Sequence, residues 1–351
     1  MIYEHEHGHG DDLYNYEGKI KANFSSNVYF PGREKLLELL CQNIDVVSHY
    51  PEPEAEALQR LLAEKHGIAP KDVCVTSGAT EAIYGIAGGF NPEKVAAGIA
   101  DPTFNEYLWA CRYHRIASTP IYGLNQLNAI FGDRFKLIWI CNPNNPTGRV
   151  IPEEMIVEAA ERYSDALFIV DHSYEDFTEE KLLSPAEGLK IENMVQIHSM
   201  TKRYGIPGLR LGYVTGSPYW TRSIWERRIP WSFNSLALEA GRIIVERGDE
   251  LVPLDLPALL AERRRLCDRL EELGWITPFE SKTHFFLCKI SKGDSAGLKE
   301  YLARECGILI RDASNFEGLD NSFIRIATQS PAENDMLVEA LKGYNGECAS
   351  A

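Results

Sequence analysis

No run of apolar residues approaches the roughly 20 needed to cross a bilayer, and no basic start followed by an apolar stretch opens the chain. Neither membrane insertion nor secretion is expected. Cationic excess is missing too: 36 Lys plus Arg stand against 51 Asp plus Glu, a formal charge of −15 that repels a phosphate backbone or an anionic membrane surface. Nucleic acid is therefore not an expected partner. None of the eight cysteines (Cys41, Cys74, Cys111, Cys141, Cys267, Cys288, Cys306, Cys348) forms a C-x-x-C pair, and several lie in apolar runs such as "KLIWICNP", where a reduced thiol packs as a small hydrophobe. A reducing cytoplasm is the expected compartment. Internal repeats and low-complexity linkers are also absent.

What is present is enough apolar sequence, 44% of 351 residues, to bury a large core of two domains or of one α/β unit with an appendage. "PEPEAEALQRLLAEKHG" (51–67) has Pro53 near its start, acids in its first turn, Leu58, Leu61 and Leu62 on one face and Gly67 past its end, which predicts a helix. "DVCVTSG" then reads as a short buried strand feeding the helix "ATEAIYGIAGGF" through a glycine. The pattern recurs: "KLIWIC", "ALFIVD" and "MVQIHSMTK" read as strands and "PEEMIVEAAERYS" as a helix opening on Pro152. Such alternation predicts a mostly parallel sheet covered on both faces. From about residue 234 the helices "SLALEAGRIIVER" and "LPALLAERRRLCDRLEELG" precede strand-like "THFFLCKI", "ILIRD" and "SFIRIAT", which predicts a smaller α+β domain. The run Arg263 to Arg265 lies on a helix whose apolar face is Leu259, Leu266, Leu270 and Leu273, so it reads as a solvated face.

The chemistry concentrates in "HSMTKRYGIPGLRLGY" (198–213). Lys202 follows an apolar strand, with hydroxyls at Ser199 and Thr201 before it and Arg210 eight residues on. A lysine at a buried edge can lose its proton and condense with an aldehyde cofactor, whose phosphate the Ser, Thr and Arg groups would hold. These residue types fit pyridoxal phosphate.

The stretch resembles the cofactor-lysine signature of class I/II pyridoxal-phosphate aminotransferases of fold type I, matching at Ser199, Thr201, Lys202, Gly208, Arg210 and Gly212. The resemblance implies a large domain with a mostly parallel seven-stranded sheet flanked by helices, plus a smaller α+β domain. In this chain it implies an N-terminal arm and part of the small domain over 1–45, the large cofactor domain over 46–240, the small domain over 241–345, and a frayed tail over 346–351.

Other landmarks follow in chain order. "TSGATEA" resembles the phosphate-binding turn, with Gly78 in the turn and Ala79 and Thr80 presenting N–H groups at a helix N-terminus. "CNPNNPTG" resembles the N-P-T-G turn whose Asn, here Asn145, donates to the cofactor's ring oxygen. In "IVDHSYEDF" the resemblance pairs Asp171 with the protonated ring nitrogen and places Tyr174 at the ring oxygen. "PTFNEY" offers Phe104 as the stacking aromatic where many members use Tyr. "SHYPEPE" contains Tyr50 before Pro51, resembling a Tyr that reaches the cofactor phosphate of the neighbouring subunit. A homodimer with shared active sites follows from the resemblance.

For substrate, Arg325 in "SFIRIAT", read as lying ahead of a short strand, matches the arginine that binds the substrate carboxylate. Within the superfamily the chain is most similar to histidinol-phosphate aminotransferases and threonine-phosphate decarboxylases. Arg311 matches the place where both have a second arginine for the substrate phosphate, and Asn27 in "ANFSSNVYFPG" matches their S-x-N region. The stretch "SNFEGLD" looks more like the decarboxylases, as does "GHGDDLY", where His9, Gly10 and Asp11 match an N-terminal H-G-G-[DN]; Asp12 has no clear counterpart there.

The primary expectation is an aminotransferase acting on a phosphorylated or otherwise anionic amino acid through an imine of Lys202 with the cofactor. Decarboxylation of threonine phosphate is the alternative. A non-catalytic cofactor-binding regulator is a remote third, since the chain has neither spare length nor basic charge for a DNA-binding appendage. "HEHGHGDD" (5–12) stays open between a transition-metal site, a tag-like segment and an arm folded over the substrate side with His9 near the substrate's anionic group.

Overall fold

The computed structural model describes residues 10–16, 18–127 and 135–346. His5, His7 and His9 lie outside the described residues, as does the expected frayed tail beyond Gly346.

Seven strands form the main sheet, in the order Val73–Thr76, Gly212–Gly216, Met194–Ser199, Leu167–Asp171, Phe135–Cys141, Ala96–Ala100, Ala117–Ile121. Gly212–Gly216 runs antiparallel to both its neighbours, and the other pairings are parallel. The two-residue side-chain period assigns successive residues to opposite faces. Leu137, Trp139 and Cys141 pack with Ile83, Ala110 and Tyr107 on one face, whereas Ile138 and Ile140 pack with Ile156 and Ala160 on the other. All five residues of Leu167–Asp171 are buried, as befits a strand covered on both faces.

The predicted helix over 51–67 begins only at Glu56 and runs to His66. Pro51 and Pro53 restrict the residues before them to extended conformations, and Ala55 takes a left-handed φ of 53°, so the chain turns before it coils. Gly67, at φ 64°, ends the helix where expected.

A second sheet of four antiparallel strands is ordered Arg311–Asp312, Phe323–Ala327, Phe285–Ile290, Ile276–Pro278. Its core of Phe286, Ile324 and Ile326 is closed by Leu266 and Leu270 of helix Leu256–Glu271 and by Leu337 and Leu341 of helix Pro331–Lys342. Arg325 lies inside Phe323–Ala327 rather than ahead of it, because Ile324 and Ile326 alternate with it toward that core. The N-terminal segment joins this unit through Ala22–Asn23, which pairs in parallel with Ile308–Leu309.

Helix Ser235–Leu251 packs Ala237, Ala240, Ile243 and Ile244 with Leu58, Leu62 and Leu211 beside the main sheet. The division drawn at 240/241 falls inside this helix. Among the described residues no helix is long and apolar enough to cross a membrane.

Candidate active site

Three parallel main-sheet strands end at one edge, at Ser199, Asp171 and Cys141, and ligands of open α/β sheets bind outside such carboxyl ends. Three features build an anion cradle there. Val73–Thr76 turns into helix Gly78–Ala87 at Gly78, whose φ is 80°. A Cβ on Gly78 would stand 2.9 Å from the Arg210 guanidinium, and one on Gly212 would stand 2.7 Å from the His198 carbonyl and 3.0 Å from the Ala79 nitrogen. These glycines let Arg210, itself at φ 54°, come up against the start of the helix, where the first N–H groups have no intrahelical partner. Ser199 Oγ and Thr201 Oγ1 lie 3.1 Å apart beside them.

These groups share a cavity of about 80 Å³ with Lys202, Asp171, Tyr174, Asn145 and Phe104. Burial pushes the Lys202 amine down to about 8, helped by the charges of Arg210 and Arg325. Asp171 is buried, which pushes its carboxyl up; hydrogen bonds from Ser173 and from Tyr107 oppose that shift. The Tyr107 hydroxyl donates to Asp171 Oδ2 at 2.8 Å, and the Ser173 N–H to Oδ1 at 2.9 Å. Such a carboxylate, braced in a desolvated place, gains from a cationic ring nitrogen set against it. Burial also raises Tyr174, to about 12.

A larger cavity of about 440 Å³ opens from the first, sharing Lys202, Tyr174, Asn145, Phe104, Thr80 and Arg210 and adding Gly10, Asp11, Ser25, Asn27, Arg311 and Arg325. Arg325 donates to Asn145 Oδ1 and to the Ser25 carbonyl, while its Nε is buried without a hydrogen-bond partner. Arg311 donates to the Asp312 carbonyl at 2.6 Å and to Asn315 Oδ1 at 2.7 Å, its guanidinium 5.1 Å over Phe316. Burial lowers both guanidinium groups, Arg325 to about 9 and Arg311 to about 10, and Arg311 further lowers Arg325. The two residues stand directly opposite one another across antiparallel strands.

All the predicted site residues thus converge except two. Tyr50 is 88% exposed, its ring centroid 5.9 Å from that of Trp231, and it lines neither cavity of its own chain. His9 lies outside the described residues. Of the carboxylates in "HEHGHGDD", Asp11 accepts from Asn23 Nδ2 at 2.6 Å and Asp12 pairs with Lys299. Sequence reading missed Tyr107, Ser173, Ser25 and Phe316. Tyr107 ends the quoted "PTFNEY" and Ser25 stands two residues before Asn27, but nothing local marks either as a contact of Asp171 or Arg325.

The residues present fit pyridoxal phosphate: a Gly78 cradle that a Cβ would fill, an amine near neutrality and a braced buried carboxylate. The family model "Aminotransferase class I and II" matches residues 19–341. Histidinol-phosphate aminotransferase 2 of Archaeoglobus fulgidus is 29% identical over 326 residues, 92% of this chain and 92% of that protein. The threonine-phosphate decarboxylase of Salmonella typhimurium is 30% identical over 335 residues, 91% of this chain and 90% of that one. Among solved structures, L-threonine-O-3-phosphate decarboxylase from Porphyromonas gingivalis superposes with a TM-score of 0.86 at 35% identity, covering 92% of this chain and 98% of that one. The chain belongs to the class I and II aminotransferase family and has the fold type I architecture of its pyridoxal-phosphate-dependent enzymes.

Proposed function

We propose that this chain is a pyridoxal-phosphate-dependent enzyme that decarboxylates a small amino acid bearing a phosphate, with threonine phosphate as the model substrate. The observation that carries this reading is the pair Arg311 and Arg325. Two buried guanidinium groups directly opposite each other destabilise the empty site, and each has a lowered pKa. A substrate carrying a carboxylate and a phosphate neutralises both at once. Histidinol phosphate carries a phosphate and no carboxylate.

The N-terminal segment favours decarboxylation over transamination. Gly10 and Asp11 line the substrate cavity, and their "HGD" is the stretch whose resemblance points to the decarboxylases. Over the whole chain the Porphyromonas gingivalis decarboxylase is 35% identical, against 25% for the histidinol-phosphate aminotransferase from Clostridium acetobutylicum.

When bound, the cofactor supplies an aldehyde that condenses with amines and a ring that accepts an electron pair from a bond at the substrate Cα. Lys202, its amine already shifted toward neutrality, would be the point of covalent attachment. Asp171, braced by Tyr107 and Ser173, would hold a proton on the ring nitrogen. Arg210 with the N-terminus of helix Gly78–Ala87 would hold the phosphate, and Asn145, whose Oδ1 serves Arg325, would offer its Nδ2 to the ring oxygen. Arg311 and Arg325 would hold the two anions of the substrate and so orient the bonds at its Cα. With the Cα–carboxyl bond so presented, that bond would break, carbon dioxide would leave, and protonated Lys202 Nζ would donate the proton that takes its place at Cα. In a homodimer, Tyr50 would project toward the partner's cofactor phosphate.

A second reading, transamination with Lys202 as the proton carrier at Cα, is favoured by the Archaeoglobus fulgidus relative and was the primary expectation from sequence. One experiment separates the two. Holoenzyme is mixed with threonine phosphate, and separately with histidinol phosphate or glutamate, while carbon dioxide release and conversion to the pyridoxamine form are followed. Carbon dioxide from threonine phosphate with the yellow form retained is expected. Conversion by histidinol phosphate or glutamate, with no carbon dioxide from threonine phosphate, overturns decarboxylation.

A further inference from the structure

We propose that Asp12 and Lys299 form an ionic latch that holds the N-terminal arm across the mouth of the substrate cavity, acting as positioning residues that do not touch substrate. The inference rests on the substrate side being the cavity of Arg311 and Arg325.

The arm reaches deep at one end. A Cβ on Gly10 would stand 2.8 Å from the Ser25 carbonyl and 3.2 Å from the Arg325 guanidinium, so only glycine lets the backbone lie this close. The Asp11 N–H donates to Ser25 Oγ at 3.1 Å. Behind this end the arm has little to hold it. The turn Leu13–Asn15 buries none of its residues, and the next apolar anchor is Tyr16, packed with Ala303 and Leu309. Between Gly10 and Tyr16, Asp12 is the one buried residue.

Asp12 Oδ2 lies 2.6 Å from Lys299 Nζ, and the two side chains are only 12% and 15% exposed. Its Oδ1 is buried with no hydrogen-bond partner. A buried ion pair adds little net stability compared with an apolar contact, yet removing one partner strands the other charge and is costly. The grip on the arm is therefore strict in position.

Lys299 belongs to helix Ser295–Tyr301, which also steadies Arg311. Ser295 Oγ donates to Asp312 Oδ1 at 2.7 Å, and the Asp312 carbonyl accepts from Arg311 at 2.6 Å. The Asp12 carboxylate is close enough to Arg311 to favour its charged form. One short helix thus sets both the arm and the second anion-binding arginine, while Lys202 and Asp171 stand on separate strands and loops.

The test uses holoenzyme of the parent, of Asp12→Asn, of Lys299→Met, and of the exchanged pair Asp12→Lys with Lys299→Asp. Hydrogen exchange of the arm amides, read without substrate, should accelerate by at least about tenfold in each single variant. KM should rise by a similar factor, with kcat within about threefold and the cofactor's visible absorption unchanged. The exchanged pair should recover most of both losses. Unchanged arm exchange in the single variants overturns the latch, as does an exchanged pair no better than either alone. A released arm with unaltered KM overturns its role in substrate binding. If no amino acid tested is turned over, the proposed substrate fails, and arm exchange still decides the latch.

Discussion

Replacing Tyr107 by Phe deletes one oxygen from a place that water cannot refill. The ring is fully buried, stacked on Trp139 at 5.3 Å and 12°, and edge-on to Phe104 at 5.8 Å, so Phe preserves the packing. What is lost is the hydroxyl that donates to Asp171 Oδ2 at 2.8 Å. Burial pushes the phenol's own pKa far up, so it remains a donor throughout the working range. Burial also raises Asp171, and the Tyr107 hydrogen bond opposes that shift; without it the carboxyl moves further up, and its ionised form is lost at a higher pH as acid is added. A hydrogen bond to a charged group contributes about 1.5–3 kcal/mol, roughly a 10- to 150-fold effect. The assay is kcat/KM of the holoenzyme from about pH 5 to pH 9, where the acid limb reports the essential base. We expect a fall of that size near neutrality, an acid limb displaced to higher pH, and partial recovery above it. A kcat/KM within about twofold of the parent, with the acid limb unmoved, would refute the reasoning that Asp171 works as a braced carboxylate.

Gly78→Ala places a Cβ at a φ of 80° and 2.9 Å from the Arg210 guanidinium. The left-handed conformation alone costs about 1–2 kcal/mol for an L-residue, so apoprotein stability by equilibrium denaturation should fall by that much and cofactor affinity should fall with it. Equal stability would show that neither the left-handed φ nor the approach to Arg210 carries this cost. Lys202, lowered to about 8, is charged below that pH and neutral above it. Cofactor uptake by apoprotein, followed by the growth of the yellow colour, should therefore quicken as pH rises toward about 8 and level off beyond. A rate that is flat across this range would mean that the amine's protonation does not limit attachment.

The parts of this molecule legible in the sequence are those whose meaning is local. "ALFIVD" is apolar up to its final Asp171 because the strand is covered on both faces, and "HSMTKRYGIPGLRLGY" carries lysine, hydroxyls, arginine and glycines in one continuous stretch. Proline and a left-handed Ala55 displaced one helix start, a backbone effect that periodicity of leucines cannot register. The contacts that brace the site are of another kind. Tyr107 meets Asp171 across 64 residues, Ser25 meets Arg325 across 300, and Lys299 meets Asp12 across 287. Each depends on how two separate elements are registered in space.

Asp12 shows the difference most clearly. In the sequence it is an unmatched acid at the end of "HEHGHGDD", as suited to a metal as to nothing. Its partner is set by the pairing of Ala22–Asn23 with Ile308–Leu309, which brings the arm alongside the C-terminal unit that carries helix Ser295–Tyr301. A carboxylate buried there without Lys299 would be stranded, and a lysine without Asp12 likewise, so the two substitutions should couple strongly. If the double variant Asp12→Asn with Lys299→Met loses no more stability than either single variant, the pair is acting as a unit. If the losses add, the arm is held by something other than this ion pair.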